Sequence, residues 1–190
     1  MRQRHLILVT GLPGTGKTTL ARAIAARYRM LLVCKDTIKE PLLDVLGAVD
    51  RAQSRKLSDA SFAVMFALAH ECLEAGTDLV LEGNFRPGEH EAPVQALTAT
   101  LRIAQVLCRS TESIRIARLK ARATDLSRHA GHRDAELADQ AAPTAHLDFL
   151  DLPSERLVFE SDAMTWAEID RGHVQSLLDK LDLWHQPGQQ

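Results

Sequence analysis

The chain has 190 residues, of which 45% are hydrophobic and 25% are charged, and its formal net charge is −2 at pH 7. This balance is typical of one soluble globular domain of ordinary size, and it lacks the basic excess of dedicated nucleic-acid-binding proteins. No apolar run approaches the ~20 residues that a membrane-spanning helix needs, and the first apolar run is too short for a signal peptide. We therefore expect a cytoplasmic protein that does not bind membranes.

Short apolar runs alternate with helical patterns along the chain, which is typical of a parallel α/β sheet with helices on both faces. In chain order, the patterns predict strands at residues 5–10, 30–35, 79–82, 103–108 and 156–160. They predict helices at residues 16–29, 37–46, 58–75, 89–100, 110–123 and 170–183. Ser58 and Asp59 are expected to cap the third helix and Gly76 to end it. Residues 1–185 should form one domain, followed by a disordered tail at 186–190.

The three cysteines, Cys34, Cys72 and Cys108, are widely spaced and each lies in an apolar stretch. An odd number of cysteines at such spacing does not match a disulfide framework or a zinc motif. We therefore expect them to be buried thiols in a reducing compartment.

A glycine-rich segment follows the first predicted strand and opens the first predicted helix. It reads G-L-P-G-T-G-K-T from Gly11 to Thr18 and fits the pattern G-x-x-x-x-G-K-[ST]. Glycines let the backbone turn around a phosphate, so that amides and the positive helix end surround the anion. Lys17 should contact the β- and γ-phosphates, and the Thr18 hydroxyl should ligate Mg²⁺. The residues predicted to bind ATP are Gly11, Pro13, Gly14, Thr15, Gly16, Lys17, Thr18 and Thr19.

The chain has neither the Asp-x-x-Gly switch of GTPases after its third strand nor an Asn-Lys-x-Asp guanine motif. Its motifs are the P-loop, Asp36 after the second strand, Glu82-Gly83-Asn84-Phe85 after the third, and Arg118-x-x-x-Arg122 followed by Arg128-His129-Ala130-Gly131-His132. In this order they resemble the small P-loop kinases of the chloramphenicol phosphotransferase, zeta-toxin and polynucleotide 5′-kinase type. The resemblance spans residues 5–162. It implies a three-layer P-loop NTPase fold of about five parallel strands, with an arginine-bearing lid at 123–142.

The resemblance also implies roles for residues at the predicted strand ends. Asp36 matches the catalytic carboxylate that takes the proton of the acceptor hydroxyl, although an Asp here could also cap the next helix. Lys39 could hold an anionic acceptor or be a solvated surface lysine. Glu82 has a Walker B-like position, where it could hold a water on Mg²⁺, orient the acceptor, or serve only the structure. Asn84 and Arg86 lie on the loop where an acceptor should bind.

The segment from Arg115 to Arg133 is strongly basic. Arg118, Arg122 and Arg128 are expected to contact the transferred phosphate, since arginine forks suit its spread negative charge. A hinged lid that bears arginine would also expel water. The alternatives are a solvated basic helix and a nucleic-acid patch, although no aromatic residues interleave these arginines. The adenine should contact the lid and residues 161–164.

The sequence therefore predicts an ATP- and Mg²⁺-dependent phosphotransferase whose second substrate is a small molecule with a hydroxyl group. The alternatives within the kinases are a polynucleotide 5′-hydroxyl kinase and a zeta-type sugar-nucleotide kinase. A non-catalytic ATP-binding regulatory protein is the alternative of another class.

Overall fold

A single parallel sheet forms the centre of the molecule. The computed structural model describes residues 4–47, 50–97, 101–125, 129, 147–162 and 180–181. The strands are β1 (Arg4–Gly11), β2 (Leu31–Cys34), β3 (Leu79–Glu82), β4 (Leu101–Arg109) and β5 (Glu155–Glu160). Their order across the sheet is β2-β3-β1-β4-β5, and every pairing is parallel. The predicted α/β class with five parallel strands is confirmed.

Helices alternate with these strands along the chain. They are α1 (Lys17–Tyr28), α2 (Lys35–Leu46), α3 (Arg51–Glu74), α4 (Glu91–Gln95) and α5 (Glu112–Ala123). Neighbouring residues of β1 point to opposite faces of the sheet, as the pleat requires. Ile7 packs in one apolar cluster with Ile24 of α1, whereas Leu8 packs in another with Met65 of α3. The sheet is therefore covered on both faces, and Gln105 is a buried polar side chain in the middle of β4.

The start of α3 differs from the prediction. The helix begins at Arg51, and Asp50 caps it by accepting a hydrogen bond from the Gln53 amide at 2.8 Å. Ser58 lies inside the helix, so the prediction that Ser58 and Asp59 cap it was wrong. Residues 51–57 are mostly polar and basic, and no apolar repeat marks them as helical. The end was predicted correctly, since Gly76 follows the last turn with a φ of 92°.

Other predicted elements are shorter or fall outside the described residues. The helix predicted at 89–100 is the short α4, which ends at Gln95, and residues 98–100 are not among those described. Most of the predicted lid, most of the last helix and the tail at 186–190 also lie outside the described residues. Among the described helices, none has the length and apolar character to cross a membrane.

Candidate active site

The segment between β1 and α1 forms a tight glycine turn at the carboxyl end of the sheet. Gly14 and Gly16 have φ angles of 89° and 84°, a region that favours glycine. The Thr15 amide and hydroxyl both donate to the Leu12 carbonyl, at 3.3 and 2.8 Å. Gly16 is the N-cap of α1 and has no side chain to accept from the first-turn amides. Those amides and the positive end of the helix are therefore suited to an anion.

Close packing around this turn excludes side chains at two glycines. A Cβ on Gly11 would lie 2.6 Å from the Cys108 carbonyl oxygen. A Cβ on Gly14 would lie 2.8 Å from Arg115 Cγ and 2.9 Å from the Arg115 carbonyl oxygen. The turn thus rests on β4 on one side and on α5 on the other, and its shape depends on both elements.

Glu82 joins the turn to the neighbouring strand. Glu82 is buried, with 1% of the residue exposed, and it lies beside Val9 in the register of β1 and β3. Glu82 Oε2 accepts a hydrogen bond from Thr18 Oγ1 at 3.2 Å, and Glu82 Oε1 lies 3.7 Å from Lys17 Nζ. A hydroxyl has one proton and two lone pairs, so Thr18 can donate to Glu82 and still offer a lone pair to a cation. These hard oxygen donors fit Mg²⁺.

Asp36 and Lys39 lie on α2, which starts directly after β2. The helix begins at Lys35, so Asp36 lies in its first turn and is not its N-cap. Lys35 Nζ is 2.8 Å from Asp36 Oδ1, while Lys39 Nζ donates to Ser54 Oγ of α3 at 2.9 Å. Burial lowers the pKa of Lys39, and the charge of Lys35 adds to this effect while Asp36 opposes it. Lys39 is therefore a half-buried cation and not a fully solvated one.

The loop after β3 is held in place by its own contacts. The Arg86 amide donates to His90 Nδ1 at 2.8 Å, and the Arg86 guanidinium donates to Glu89 Oε2 at 2.8 Å. The His90 ring is buried against Phe62, with 4.2 Å between ring centroids, and burial lowers the pKa of His90. Because Nδ1 accepts, a neutral His90 carries its proton on Nε2. Asn84, on the same loop, is half-buried.

Two arginines of α5, Arg118 and Arg122, line an open groove, and Arg118 is also hydrogen-bonded to neighbouring segments. Arg118 donates to the Ser161 hydroxyl at 2.8 Å, to the Ser161 carbonyl at 2.6 Å and to the Gly14 carbonyl at 3.4 Å. Burial lowers the pKa of Arg118. Arg118 thus joins the glycine turn to the segment after β5. The sequence alone did not indicate these hydrogen-bond partners. Arg128 lies outside the described residues. A groove of about 470 Å³ is lined by Ile114, Ala117, Arg118, Ala121, Arg122 and Asp125.

Several of the predicted residues are thus brought together by direct contacts. Lys17, Thr18 and Glu82 form one group, and Arg118 contacts the same turn at Gly14. The placement of Cys34 directly beside Glu82 was missed, although both residues end strands. Only the order of the strands shows that these two ends are neighbours.

Comparison with known families identifies the chain. The family model AAA_33, described as an AAA domain, matches residues 6–146. The chain belongs to this family. A solved structure described as a "putative kinase" from Chloroflexus aurantiacus J-10-fl is similar to this AAA domain, with a TM-score of 0.77 and 29% identity. The similarity covers 94% of this chain and 98% of that chain. No curated protein matches the chain.

More distant structures share the fold. A shikimate kinase from Bacteroides thetaiotaomicron is similar with a TM-score of 0.54 and 21% identity, over 95% of this chain and 99% of that chain. A chain of the Pnkp1/Rnl/Hen1 RNA repair complex is similar with a TM-score of 0.52 and 15% identity, over 73% of this chain and 45% of that chain. At these identities the likeness concerns the fold alone. This AAA domain is a P-loop NTPase with a kinase-like fold, and such a fold implies nucleotide binding.

Proposed function

We propose that this protein is a phosphotransferase that moves the γ-phosphate of ATP, with Mg²⁺, to a hydroxyl group of a small molecule. The observation that carries this proposal is the convergence of Lys17 and Thr18 on the buried Glu82 at the mouth of the P-loop. The similarity to a "putative kinase" at 29% identity supports the same reaction class. A single kinase domain over residues 1–185, with a lid at 123–142, a tail at 186–190 and a cytoplasmic location, belongs to the proposal.

The donor side consists of the P-loop, Lys17, Thr18 and Glu82. The P-loop amides and Lys17 would hold the β- and γ-phosphates. Thr18 would ligate Mg²⁺ directly, and Glu82 would do so through a water. Bound there, Mg²⁺ would neutralise charge on the phosphate oxygens. The groove beside Arg118 and Arg122 is the proposed site of the adenine, together with the segment that begins at Ser161.

The acceptor side consists of Asp36 and the loop after β3. Asp36 would accept a hydrogen bond from the acceptor hydroxyl and take its proton late in transfer. The bond from the γ-phosphorus to the ADP oxygen breaks as a bond forms from phosphorus to the acceptor oxygen. Lys39, a half-buried cation near Asp36, would favour an acceptor with a negative group. Asn84 and Arg86 are the proposed further contacts to the acceptor.

The arginines of α5 and of the lid complete the proposed site. Arg122 and Arg128 would contact the transferred phosphoryl group and neutralise its charge. Arg118 already donates to Ser161 and Gly14, so its proposed role includes fixing the P-loop against the segment after β5. Loss of Arg118 should therefore weaken ATP binding as well as transfer.

The test is a phosphoryl-transfer screen with mass spectrometry. Wild type, Asp36→Asn and Lys17→Ala are incubated with Mg·ATP and pooled metabolites, aminoglycosides, chloramphenicol, nucleosides and oligonucleotides. Asp151→Asn, which changes an exposed carboxylate beside Arg156, is the matched control. We expect a product from wild type and the control, a loss of about 10²-fold or more in Asp36→Asn, and lost ATP binding in Lys17→Ala.

Each other outcome of the screen has a defined meaning. Full transfer by a folded Asp36→Asn would refute the role of Asp36 as the base. Unchanged ATP binding by Lys17→Ala would refute the donor site. A phosphorylated oligonucleotide would favour the polynucleotide kinase, and a sugar nucleotide product would favour the zeta-type kinase. ATP binding without any product would favour the regulatory protein.

A further inference from the structure

We propose that Cys34 is a positioning residue, whose thiol donates a hydrogen bond to Glu82 and holds this carboxylate beside the Thr18 hydroxyl. The effect of Cys34 on Mg²⁺ binding rests on the proposed function, in which Glu82 holds a water on the metal. The placement of Cys34 beside Glu82 is a property of the fold alone.

Strand register places the thiol next to the carboxylate. Cys34 ends β2 and Glu82 ends β3, and these two residues are directly paired in the parallel register. Paired residues of neighbouring parallel strands project from the same face of the sheet. Cys34 is 7% exposed and Glu82 is 1% exposed, so the thiol and the carboxylate are buried side by side at the ends of the two strands. An ionised carboxylate has no proton, so the thiol is the donor.

The other contacts of Glu82 show why this donor is needed. Lys17 lies 3.7 Å from the carboxylate and would turn toward phosphate oxygens when ATP binds. Thr18 donates to Glu82 at 3.2 Å and is also the proposed metal ligand. Cys34 is thus a neighbour of Glu82 that neither nucleotide nor metal would engage. It directly precedes Lys35 and Asp36 in the sequence, so it also ties the end of β2 to the acceptor side.

The experiment measures ATP affinity by calorimetry, once with excess Mg²⁺ and once with EDTA. The ratio of the two affinities is the magnesium enhancement. Wild type is compared with Cys34→Ala, Cys34→Ser and Glu82→Gln, and Cys72→Ala is the control for removal of a thiol elsewhere. We expect the magnesium enhancement of Cys34→Ala to be about fivefold smaller than that of wild type, which is the effect of one net hydrogen bond. Its ATP affinity in EDTA should be unchanged. Serine should restore the enhancement, because its hydroxyl also donates.

A purely structural role gives different results. An equal loss of affinity with Mg²⁺ and with EDTA would overturn the proposal, as would wild-type enhancement in Cys34→Ala. A Cys34→Ser variant as impaired as Cys34→Ala would overturn it too. Cys72→Ala should behave as wild type.

A nucleotide-free measurement separates this proposal from the proposed function. Urea unfolding of wild type, Cys34→Ala, Glu82→Gln and the double variant forms a double-mutant cycle. Non-additive shifts of the unfolding midpoint would support the contact, and additive shifts would overturn it. If wild type showed no magnesium enhancement, the proposed Mg·ATP function would fail, while the cycle would still decide the role of Cys34.

Discussion

Replacing Gly14 by alanine should show how strongly the P-loop depends on α5. The Cβ of the alanine would lie 2.8 Å from Arg115 Cγ and 2.9 Å from the Arg115 carbonyl oxygen. Arg115 Cγ belongs to a flexible side chain and can move aside. The carbonyl belongs to the backbone of α5, so the loop or the helix has to shift.

The magnitude follows from two separable costs. Gly14 has a φ of 89°, where a residue with a Cβ is disfavoured by about 1–2 kcal/mol. The contact with the α5 carbonyl adds about 1–3 kcal/mol for overpacking. Gly88 is the matched control, since its φ is 81° and a Cβ added there would meet nothing within 4 Å. Gly14→Ala should therefore lower the free energy of unfolding by about 1–3 kcal/mol more than Gly88→Ala does.

Urea unfolding followed by circular dichroism measures this difference, and calorimetry measures ATP affinity in the same variants. We expect Gly14→Ala to weaken ATP binding about tenfold or more, because the shift displaces the amides that would contact phosphate. Gly88→Ala should bind ATP as wild type does. Equal destabilisation by the two substitutions would show that the contact with α5 does not shape the loop.

Two further predictions concern thiols and pH. Cys72 is partly exposed and should react first with a thiol reagent in the folded protein, since Cys34 and Cys108 are buried and burial raises their pKa values. Mass spectrometry of labelled peptides measures the order of reaction. Faster labelling of Cys34 would contradict the prediction. Burial lowers the pKa of His90, so the folded state binds fewer protons there than the unfolded chain and stability should fall as the pH drops below about 6.5. His90→Gln keeps an acceptor for the Arg86 amide and should flatten this dependence in urea unfolding between about pH 7 and 5; an unchanged slope would rule out His90 as its source.

The local patterns of the sequence predicted much of the fold. All five strands lie within two residues of their predicted bounds, because buried parallel strands are apolar nearly throughout. The start of α3 was missed, since its first two turns have no apolar repeat and its stability there depends on the cap at Asp50. Cap geometry is visible in the structure, whereas several polar residues near a helix start look equally suitable in a sequence.

The site was predictable where a motif is continuous and not where it depends on strand order. The P-loop is a single run of eight residues from Gly11 to Thr18, and its context follows from the sequence. Glu82, the neighbour of Cys34, lies on another strand, and no local pattern predicts that β3 lies between β1 and β2. The partners of Arg118 lie on the glycine turn and on the segment after β5. Long-range contacts of this kind require the tertiary structure.

The position of β3 between β1 and β2 also has a consequence for folding. Thr18 and Glu82 are 64 residues apart, and their contact forms only after β3 has inserted beside β1. Contacts of such high sequence separation form late and slowly, because a long loop has to close first. A partly folded chain that lacks this strand pairing has no complete nucleotide site. ATP should therefore bind only the fully assembled sheet, and by mass action it should stabilise the whole domain rather than the loop alone.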